Sequence, residues 1–348
     1  MPAAANPITD VQWTETALPD GIGSESMFYG AAGGPKGFVI VGDTGALGFH
    51  GLALTSVDGR TWELVDDDDI NPWSLEEVVS TDGGYIAIGG NFGSGPSGWS
   101  SAILTSTDGQ EWSVRHQAEG SINAVAARGS HAVATTDGPT ILVSDDTGRS
   151  WRAVDRSEVG LDGDAVNAVA VLANGRWIAV GARGLSAAAW VSDDGESWTS
   201  AAMEGADPVP GVKRVTTYGV VAGDAVGIAT GTDDPELCEG DADDGCNHYS
   251  AAWSTEDGST WRRLPKGTPP ADQGGTYLWP AGPAGVLAEI ASKQSANGWD
   301  WTPFPSPSGG NLASILAVHG STMVAAGVTD PESGPLLGIW VGAVTYAH

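Results

Sequence analysis

Two adjacent glutamates, Glu76 and Glu77, stand in a stretch that reads as a short apolar strand. Charged side chains inside a β-sheet protein are costly unless they are paired or reached by water, so this position predicts a wet channel or a reactive site. Two carboxylates can act as general acid and base on a glycosidic bond, and Lys213 and Tyr277 are the candidate partners in such catalysis. A solvated internal ion pair with Lys213 or Arg214 is the alternative without catalysis.

A second set of residues has the chemistry of ligand binding without reaction. Asn side chains orient hydrogen bonds, and aromatic rings stack on the faces of sugars. His50 and His248 are predicted to begin strand c in blades 1 and 5, at nearly the same repeat position, where they act as a base, contact a sugar, or are ordinary loop residues. The candidate ligand-binding residues are Asn123, Asn167, Arg214, His50, His248, Tyr249, Trp99 and Trp279, with Trp73 and Tyr277 as further stacking candidates.

The long connection over residues 231–250 combines acidic residues with both cysteines of the chain. Asp241, Asp243 and Asp244 are calcium candidates, although the adjacent Asp243 and Asp244 depart from EF-hand spacing. We predict a disulfide between Cys238 and Cys246, which would contribute about 2 to 3 kcal/mol by restricting the unfolded chain. A local cysteine pair favours an oxidising, extracellular or cell-surface setting over the cytoplasm.

A repeated motif predicts the elements that position these residues. Its tryptophans recur roughly every 40 to 60 residues, a period typical of propeller blades or helical solenoids. The six copies are Ser56-Asp58-Gly59-Trp62, Ser106-Asp108-Gly109-Trp112, Ser144-Asp146-Gly148-Trp151, Ser192-Asp194-Gly195-Trp198, Thr255-Asp257-Gly258-Trp261 and Ser295-Asn297-Gly298-Trp301.

The motif residues have a structural role that follows from turn chemistry. Asp and Ser side chains accept hydrogen bonds from backbone amides a few residues onward, and Gly adopts the positive φ angle that closes a hairpin. The Trp begins the next strand and buries a large apolar surface. Because every copy carries the same residues, a scaffolding role is favoured over six catalytic or metal-binding aspartates.

The pattern resembles the Asp-box repeat, also called the bacterial neuraminidase repeat, of sialidases, sortilin-type receptors, some glucan hydrolases and a photosystem assembly factor. The resemblance covers nearly the whole chain and implies a β-propeller with the boxes on the c-to-d turns, away from the ligand-binding face. It does not imply sialidase activity, because the chain has no Arg-Ile-Pro signature and only Arg214 and Arg183 could reach the axial funnel. The family is functionally mixed, so the resemblance names no reaction.

Short apolar strands between Gly and Asp turns predict an all-β, single-domain, seven-bladed propeller in which an N-terminal strand closes the last blade. Aligning the first strand of every blade places Phe28, Glu76, Asn123, Asn167, Lys213, Tyr277 and Ala313 at the funnel, with Glu77, Arg214 and Ser314 one step later. The predicted blades are 26–66, 74–117, 121–155, 165–203, 212–265, 276–305, and 312–344 with 10–16.

The composition of the chain excludes some classes of binding partner. The formal net charge is −29 with only 15 Lys and Arg, which argues against nucleic acid, because phosphates require a basic surface. No apolar run is long enough to span a membrane, and the first residues lack the features of a signal peptide, so a secreted protein would have had its signal removed. We expect a monomer.

Three functions remain open on the sequence alone. The preferred one is a secreted or surface-exposed propeller that binds a glycan or another extended ligand in its funnel without catalysis. The second is a glycoside hydrolase or polysaccharide lyase that uses Glu76 or Glu77 with Lys213, Tyr277 or a histidine. The third is a protein-interaction scaffold with the 231–250 connection as its epitope.

Overall fold

The computed structural model describes residues 7–45, 50–92, 98–235, 249–272, 278–281, 284–288, 293–307, 312–329 and 336–347. Nearly all of their regular structure is β, with one short helix at Pro269–Asp272. The strands form seven sheets, and the fold is the all-β, seven-bladed β-propeller that the sequence predicts. Among the described residues, no helix is long and apolar enough to cross a membrane.

Residues of the chain cluster into two compact units, which we call the terminal unit (Ile8–Ala153 with Phe304–His348) and the middle unit (Val154–Pro303 with Met1–Pro7). Each blade has four antiparallel strands, a to d in chain order, except that blade 7 takes its fourth strand from the N-terminus.

Strands a to d of blade 1 are Met27–Gly34, Gly37–Asp43, Gly51–Ser56 and Glu63–Leu64. Those of blade 2 are Ser74–Thr81, Gly84–Phe92, Trp99–Ser106 and Trp112–Glu119. Those of blade 3 are Ile122–Arg128, His131–Thr136, Thr140–Ser144 and Arg152–Asp155. Blade 7 consists of Leu312–His319, Thr322–Thr329 and Leu336–Tyr346, and Ile8–Thr16 pairs with the last of these. The predicted closure of the last blade by the N-terminal strand is therefore confirmed. It covers an edge that would otherwise present unpaired backbone groups.

Blades 4 to 6 follow in the middle unit. Strands a to d of blade 4 are Ala165–Val171, Trp177–Arg183, Ser186–Ser192 and Trp198–Ser200. Those of blade 5 are Val212–Ala222, Gly227–Pro235, Tyr249–Thr255 and Thr260–Arg263. Those of blade 6 are Leu278–Pro280, Val286–Ala288, Lys293–Ser295 and Thr302–Pro303. A fifth strand, Ala202–Met203, pairs in parallel with the outer strand of blade 5.

The apolar core lies between consecutive blades of a unit. In the terminal unit, Val41 and Ala53 of blade 1 pack with Leu75 and Leu104 of blade 2, all fully buried. Such residues alternate along each strand, so that both faces of a blade contribute to a core. The rigid body of each unit therefore comes from aliphatic packing, which leaves the strand ends and connections to carry polar side chains.

The repeated motif forms the same hydrogen-bonded hairpin in all six copies. In the first, Gly59 N donates to Ser56 Oγ at 2.8 Å, Asp58 Oδ1 accepts from Arg60 N at 2.8 Å, and Trp62 Nε1 donates to Gly59 O at 3.0 Å. These backbone hydrogen bonds lower the pKa of Asp58. Because its carboxylate is occupied in this way, the repeated aspartate is a structural group.

Candidate functional site

Among the described residues, strand a has a β-bulge in six blades. The pairing register of strands a and b skips one residue there, so that two residues face one across the sheet. A bulge twists the strand and redirects the side chain of the extra residue. The extra residues are Tyr29, Glu76, Asn123, Asn167, Tyr218 and Ser314, and blade 5 has a second bulge at Lys213.

The bulges and the hairpin boxes lie at opposite ends of each blade. In blade 1, Phe28 at the bulge pairs with Gly42, and Gly42 pairs with Leu52 at the start of strand c. Ser56 of the box pairs instead with Phe38, at the other end of strand b. We call these the bulge end and the box end of a blade. The residues predicted for ligand binding belong largely to the bulge end.

Glycines in strand b make room for the bulges. A Cβ atom at Gly42 would collide with the carbonyl oxygen of Met27, and one at Gly231 would collide with that of Thr216. Both glycines pair with the residue just before the bulge. A glycine at the end of strand b is thus the sequence signal that would have located the bulge.

The register corrects the strand alignment made from sequence. Glu76, Asn123 and Asn167 are the extra residues, as aligned, but Phe28 and Ala313 precede the bulge by one residue. In blade 5, Tyr218 and not Lys213 occupies the equivalent position. The reason is that strand a of this blade is 11 residues long and has two bulges, so it begins earlier than its counterparts.

Glu77 is the most perturbed carboxyl group at a bulge end. Its Oε2 accepts a hydrogen bond from Val125 N at 3.0 Å, which links blade 2 to strand a of blade 3. Burial raises the pKa of Glu77 to about 7, outweighing the hydrogen bond from Val125, and the neighbouring Glu76 carboxylate raises it further. Glu77 is therefore poised to gain or lose a proton near neutral pH.

Glu76 lies beside Trp99 over the backbone of strand b. A Cβ atom at Gly90 would lie 3.2 Å from Glu76 Oε1 and 2.6 Å from the Trp99 ring, so the absence of a side chain there admits both groups. Glu76 is exposed as a residue, and the partial burial of its carboxyl group raises its pKa. A carboxylate next to an indole ring is suited to hold an ammonium or guanidinium group.

A buried aspartate completes the acidic group in blade 1. Asp43 is 1% exposed and accepts hydrogen bonds from Ser74 Oγ at 2.8 Å, Gly45 N at 2.9 Å and Tyr29 Oη at 3.2 Å. Tyr29 is 37% exposed, and the neighbouring Met27 is more exposed still. Asp43 and Tyr29 were not predicted from the sequence: Asp43 ends strand b, where an Asp is also typical of a turn, and Tyr29 is an ordinary residue of a strand.

The cations of the terminal unit lie elsewhere. They lie in the a-to-b turn of blade 1, at the last residue of strand a in blade 3, in the boxes or in strand d: Lys36, Arg60, Arg115, Arg128, Arg149 and Arg152. The predicted ion pair of Glu76 or Glu77 with Lys213 or Arg214 would join the two units and stays a prediction. Within the middle unit, Arg214 Nε donates to Asp234 Oδ2 at 3.1 Å. Within the terminal unit, no described cation is paired with the acids at the bulge ends of blades 1 and 2.

The bulge ends of the middle unit are built differently. Asn167 Nδ2 donates to Thr217 O at 2.6 Å, which ties blade 4 to blade 5. Arg263 donates to both carboxylate oxygens of Asp233, at 2.5 and 2.6 Å. Lys266 Nζ lies 4.4 Å from the centre of the Tyr249 ring. Here the cations are matched with acids or rings.

The remaining predicted residues are distributed as follows. Trp73, proposed as a stacking residue, is buried in the core between blades 1 and 2, which corrects that prediction. Trp99, Asn123 and Trp279 are partly buried, and His50 and Lys213 are exposed. The predictions for Tyr277, His248, Asp241, Asp243, Asp244, Cys238 and Cys246 fall outside the described residues.

The sequence matches no known family and no curated protein. Several solved structures share its fold. YCF48 bound to a D1 peptide is 15% identical with a TM-score of 0.56, over 98% of this chain and 99% of that chain. A Saccharomyces cerevisiae structure of Dbp5 bound to Nup159, Gle1, IP6 and ADP is 11% identical with a TM-score of 0.53, over 99% of this chain and 96% of that chain. Trypanosoma rangeli sialidase in complex with the inhibitor DANA is 12% identical with a TM-score of 0.45, over 91% of this chain and 55% of that chain. At these identities the likenesses show the β-propeller fold alone.

Proposed function

We propose that this protein is a non-catalytic binding module that holds an extended, positively charged polypeptide segment at the bulge ends of blades 1 to 3. The observation that carries the proposal is the set of acidic side chains Asp43, Glu76 and Glu77 in blades 1 and 2, none of which forms an ion pair with a described Lys or Arg of the terminal unit. Desolvated carboxylates gain most from a partner that brings its own positive charge. A basic side chain supplies that charge.

The aromatic side chains favour polypeptide over glycan as the extended ligand. Trp73 is buried and Trp99 is only partly accessible, so few flat indole faces remain for sugar stacking. Tyr29, Met27 and Trp99 instead offer an apolar border next to carboxylates, which fits the aliphatic stem of a Lys or Arg. YCF48, which shares this fold, has been solved with a bound peptide, and that supports the same class of ligand here.

Binding is expected to depend on pH in a defined direction. A bound cation favours the ionised form of Glu77, whose pKa is about 7 in the unliganded protein. Affinity for a basic segment therefore rises as the pH increases through 7, and binding releases protons below that pH. A simple surface attraction to exposed acids would not change in this range.

Calorimetric titration with a peptide that alternates Lys with small residues tests the proposal, with a Glu-containing counterpart as the negative ligand. We expect Glu76→Gln and Glu77→Gln each to weaken binding about tenfold, the usual cost of losing one charge-assisted contact. Glu15→Gln makes the same charge change on the exposed outer strand of blade 7 and serves as the control. If all three variants bind equally, or the basic peptide does not bind, the proposed site is wrong.

A second candidate is a glycan-active enzyme, which the raised pKa of Glu77 favours, because a general acid needs its proton near neutral pH. Incubation with a broad glycan and polysaccharide panel, with and without calcium, separates the two functions. Product release that disappears in Glu77→Gln supports the enzyme. Glycan binding without product supports the lectin-like version. We further propose an extracellular or cell-surface location, which rests on the cysteine pair and is tested by the redox state of the native protein.

A further inference from the structure

The box end has a feature that the proposed function does not use. Between the second and third boxes lies a groove of about 170 Å³, which is lined by Arg115, Arg149, Thr107, Ser113 and Glu111, among others. On this measure a single water needs only about 10 to 15 Å³, so the groove has room for a small solute. Two arginines from neighbouring blades and one acid give it a positive balance in a protein whose net charge is −29.

The two guanidinium groups are available for a ligand. Arg115 Nε donates to Thr105 Oγ1 at 2.9 Å, which orients the side chain, and Arg115 is among the residues that line the groove. Arg149 sits in the third box, whose backbone is held by the Asp146 carboxylate. Among the described residues, neither arginine forms an ion pair. The box aspartates Asp108 and Asp146 stay ionised, but their oxygens accept hydrogen bonds from backbone amides and form no ion pair with these two arginines.

One additional residue shapes this groove. The third box has Thr147 between its Asp and its Gly, where the other boxes have Asp or Asn followed directly by Gly. Thr147 has a φ of 62° and lies against Gly83, whose Cβ position is 3.0 Å from Thr147 Oγ1. The insertion therefore brings a wall residue from blade 3 up to the a-to-b turn of blade 2.

The molecule contains a natural comparison for this groove. The equivalent space between the fifth and sixth boxes has about 230 Å³ and is lined by Arg262, Glu256 and Trp299. Trp299 stands at the box position that Arg149 occupies, and Leu264 is at the strand position of Arg115. Asp257 also lines that groove, so one arginine faces two acids and the balance of charge there is negative. The boxes therefore form similar spaces whose chemistry depends on two variable positions.

We propose that the groove between the second and third boxes binds a tetrahedral oxyanion of the phosphate or sulfate type. Guanidinium groups from two directions match the oxygens of such an ion, and the hydroxyls of Thr107 and Ser113 supply further donors. The overall acidic field of the protein opposes anions. An anion that binds in this groove must therefore be held by the local guanidinium and hydroxyl groups.

Titration of the full-length chain with inorganic phosphate at constant ionic strength tests the proposal, by calorimetry and by NMR shifts of the Gly83 and Thr107 amides. We expect Arg115→Gln and Arg149→Gln each to weaken phosphate binding about tenfold, and Arg149→Lys to weaken it less, since charge is kept but the planar fork is lost. Arg262→Gln removes the same charge from the other groove and is expected to leave binding unchanged.

Parallel titrations with sulfate and with phosphoserine identify the source of the anion. Phosphoserine binding as tight as that of inorganic phosphate indicates a phosphate ester on a partner, whereas a strong preference for the inorganic ions indicates a free anion. All variants change exposed side chains, and circular dichroism confirms their fold. The proposal is overturned if phosphate produces no saturable change at tens of millimolar, or if Arg262→Gln weakens it as much as Arg149→Gln.

Discussion

The bulge ends of the terminal and middle units share a bulged strand a but differ in how their charges are paired. In blades 1 and 2, Asp43, Glu76 and Glu77 form no ion pair with a described cation of the terminal unit. In blades 4 and 5, Arg183 pairs with Asp162, Arg214 with Asp234 and Arg263 with Asp233. The contrast shows that the bulge is a feature of the backbone, and that the residue at the bulge differs from blade to blade. Charge balance, and with it the capacity for a charged ligand, is set position by position.

The largest expected effect comes from breaking the shared scaffold. Gly42→Ala in the terminal unit and Gly231→Ala in the middle unit each force a Cβ against a carbonyl oxygen of strand a. We expect both to lower the free energy of unfolding by about 3 kcal/mol, because neither backbone can move without losing the strand pairing. Urea unfolding measures this, with Gly138→Ala as control, since its Cβ would meet only Thr136 Oγ1, at 3.6 Å.

Equal losses at the two sites would mean that the units share one scaffold. A loss at Gly42 without one at Gly231 would contradict that interpretation, and the contrast between the units would then begin in the backbone.

The second prediction concerns how the stability of the protein depends on pH through Glu77 of the terminal unit. The folded-state pKa of Glu77 is raised to about 7 from 4.5, so the folded protein holds this proton more tightly than the unfolded chain. Its stabilising contribution is present below pH 4.5 and is lost as the pH rises through 7. Each pKa unit of the shift corresponds to about 1.36 kcal/mol, so the free energy of unfolding falls by about 3 kcal/mol between the two limits.

Glu77→Gln keeps the shape of the side chain but cannot ionise, so we expect it to be more stable than wild type above pH 7 and similar to it near pH 4.5. Unfolding free energies of both proteins across this range measure the difference, and subtraction removes the other acids. A difference that does not change with pH would place the Glu77 carboxyl in water and remove its special role.

The sequence predicted the scaffold better than the site, for a physical reason. The box residues recur in every blade, so their hydrogen-bonding role and the closing N-terminal strand could be inferred from spacing. A bulge shifts the register by one residue without altering the apolar character of the strand, and this is why Lys213 was aligned where Tyr218 lies. Burial of Trp73 depends on packing between blades, which no local pattern contains.

A smaller effect tests the charge matching of the middle unit. Arg263→Met removes the partner of Asp233, which is 8% exposed, and also the contact of the guanidinium with the Trp253 ring at 5.1 Å. We expect a loss of about 2 kcal/mol, as for a buried charged acceptor that loses its donor. Arg214→Met removes a half-exposed partner and should cost below about 1 kcal/mol. Equal costs would mean that burial does not distinguish these pairs.

The smallest effect distinguishes two tyrosines at equivalent bulges. Tyr29 Oη donates to the buried Asp43 carboxylate at 3.2 Å, whereas Tyr218 Oη lies 3.2 Å from the Thr232 hydroxyl, which has Asp234 as a further partner. Tyr29→Phe should therefore cost about 1 kcal/mol and Tyr218→Phe close to nothing, because water can replace a hydrogen bond between exposed hydroxyls but not one to a buried carboxylate. Thermal unfolding of the two variants measures this difference. If Tyr218→Phe is the more costly change, the uncompensated charge of the terminal unit does not control how its bulge residues are held.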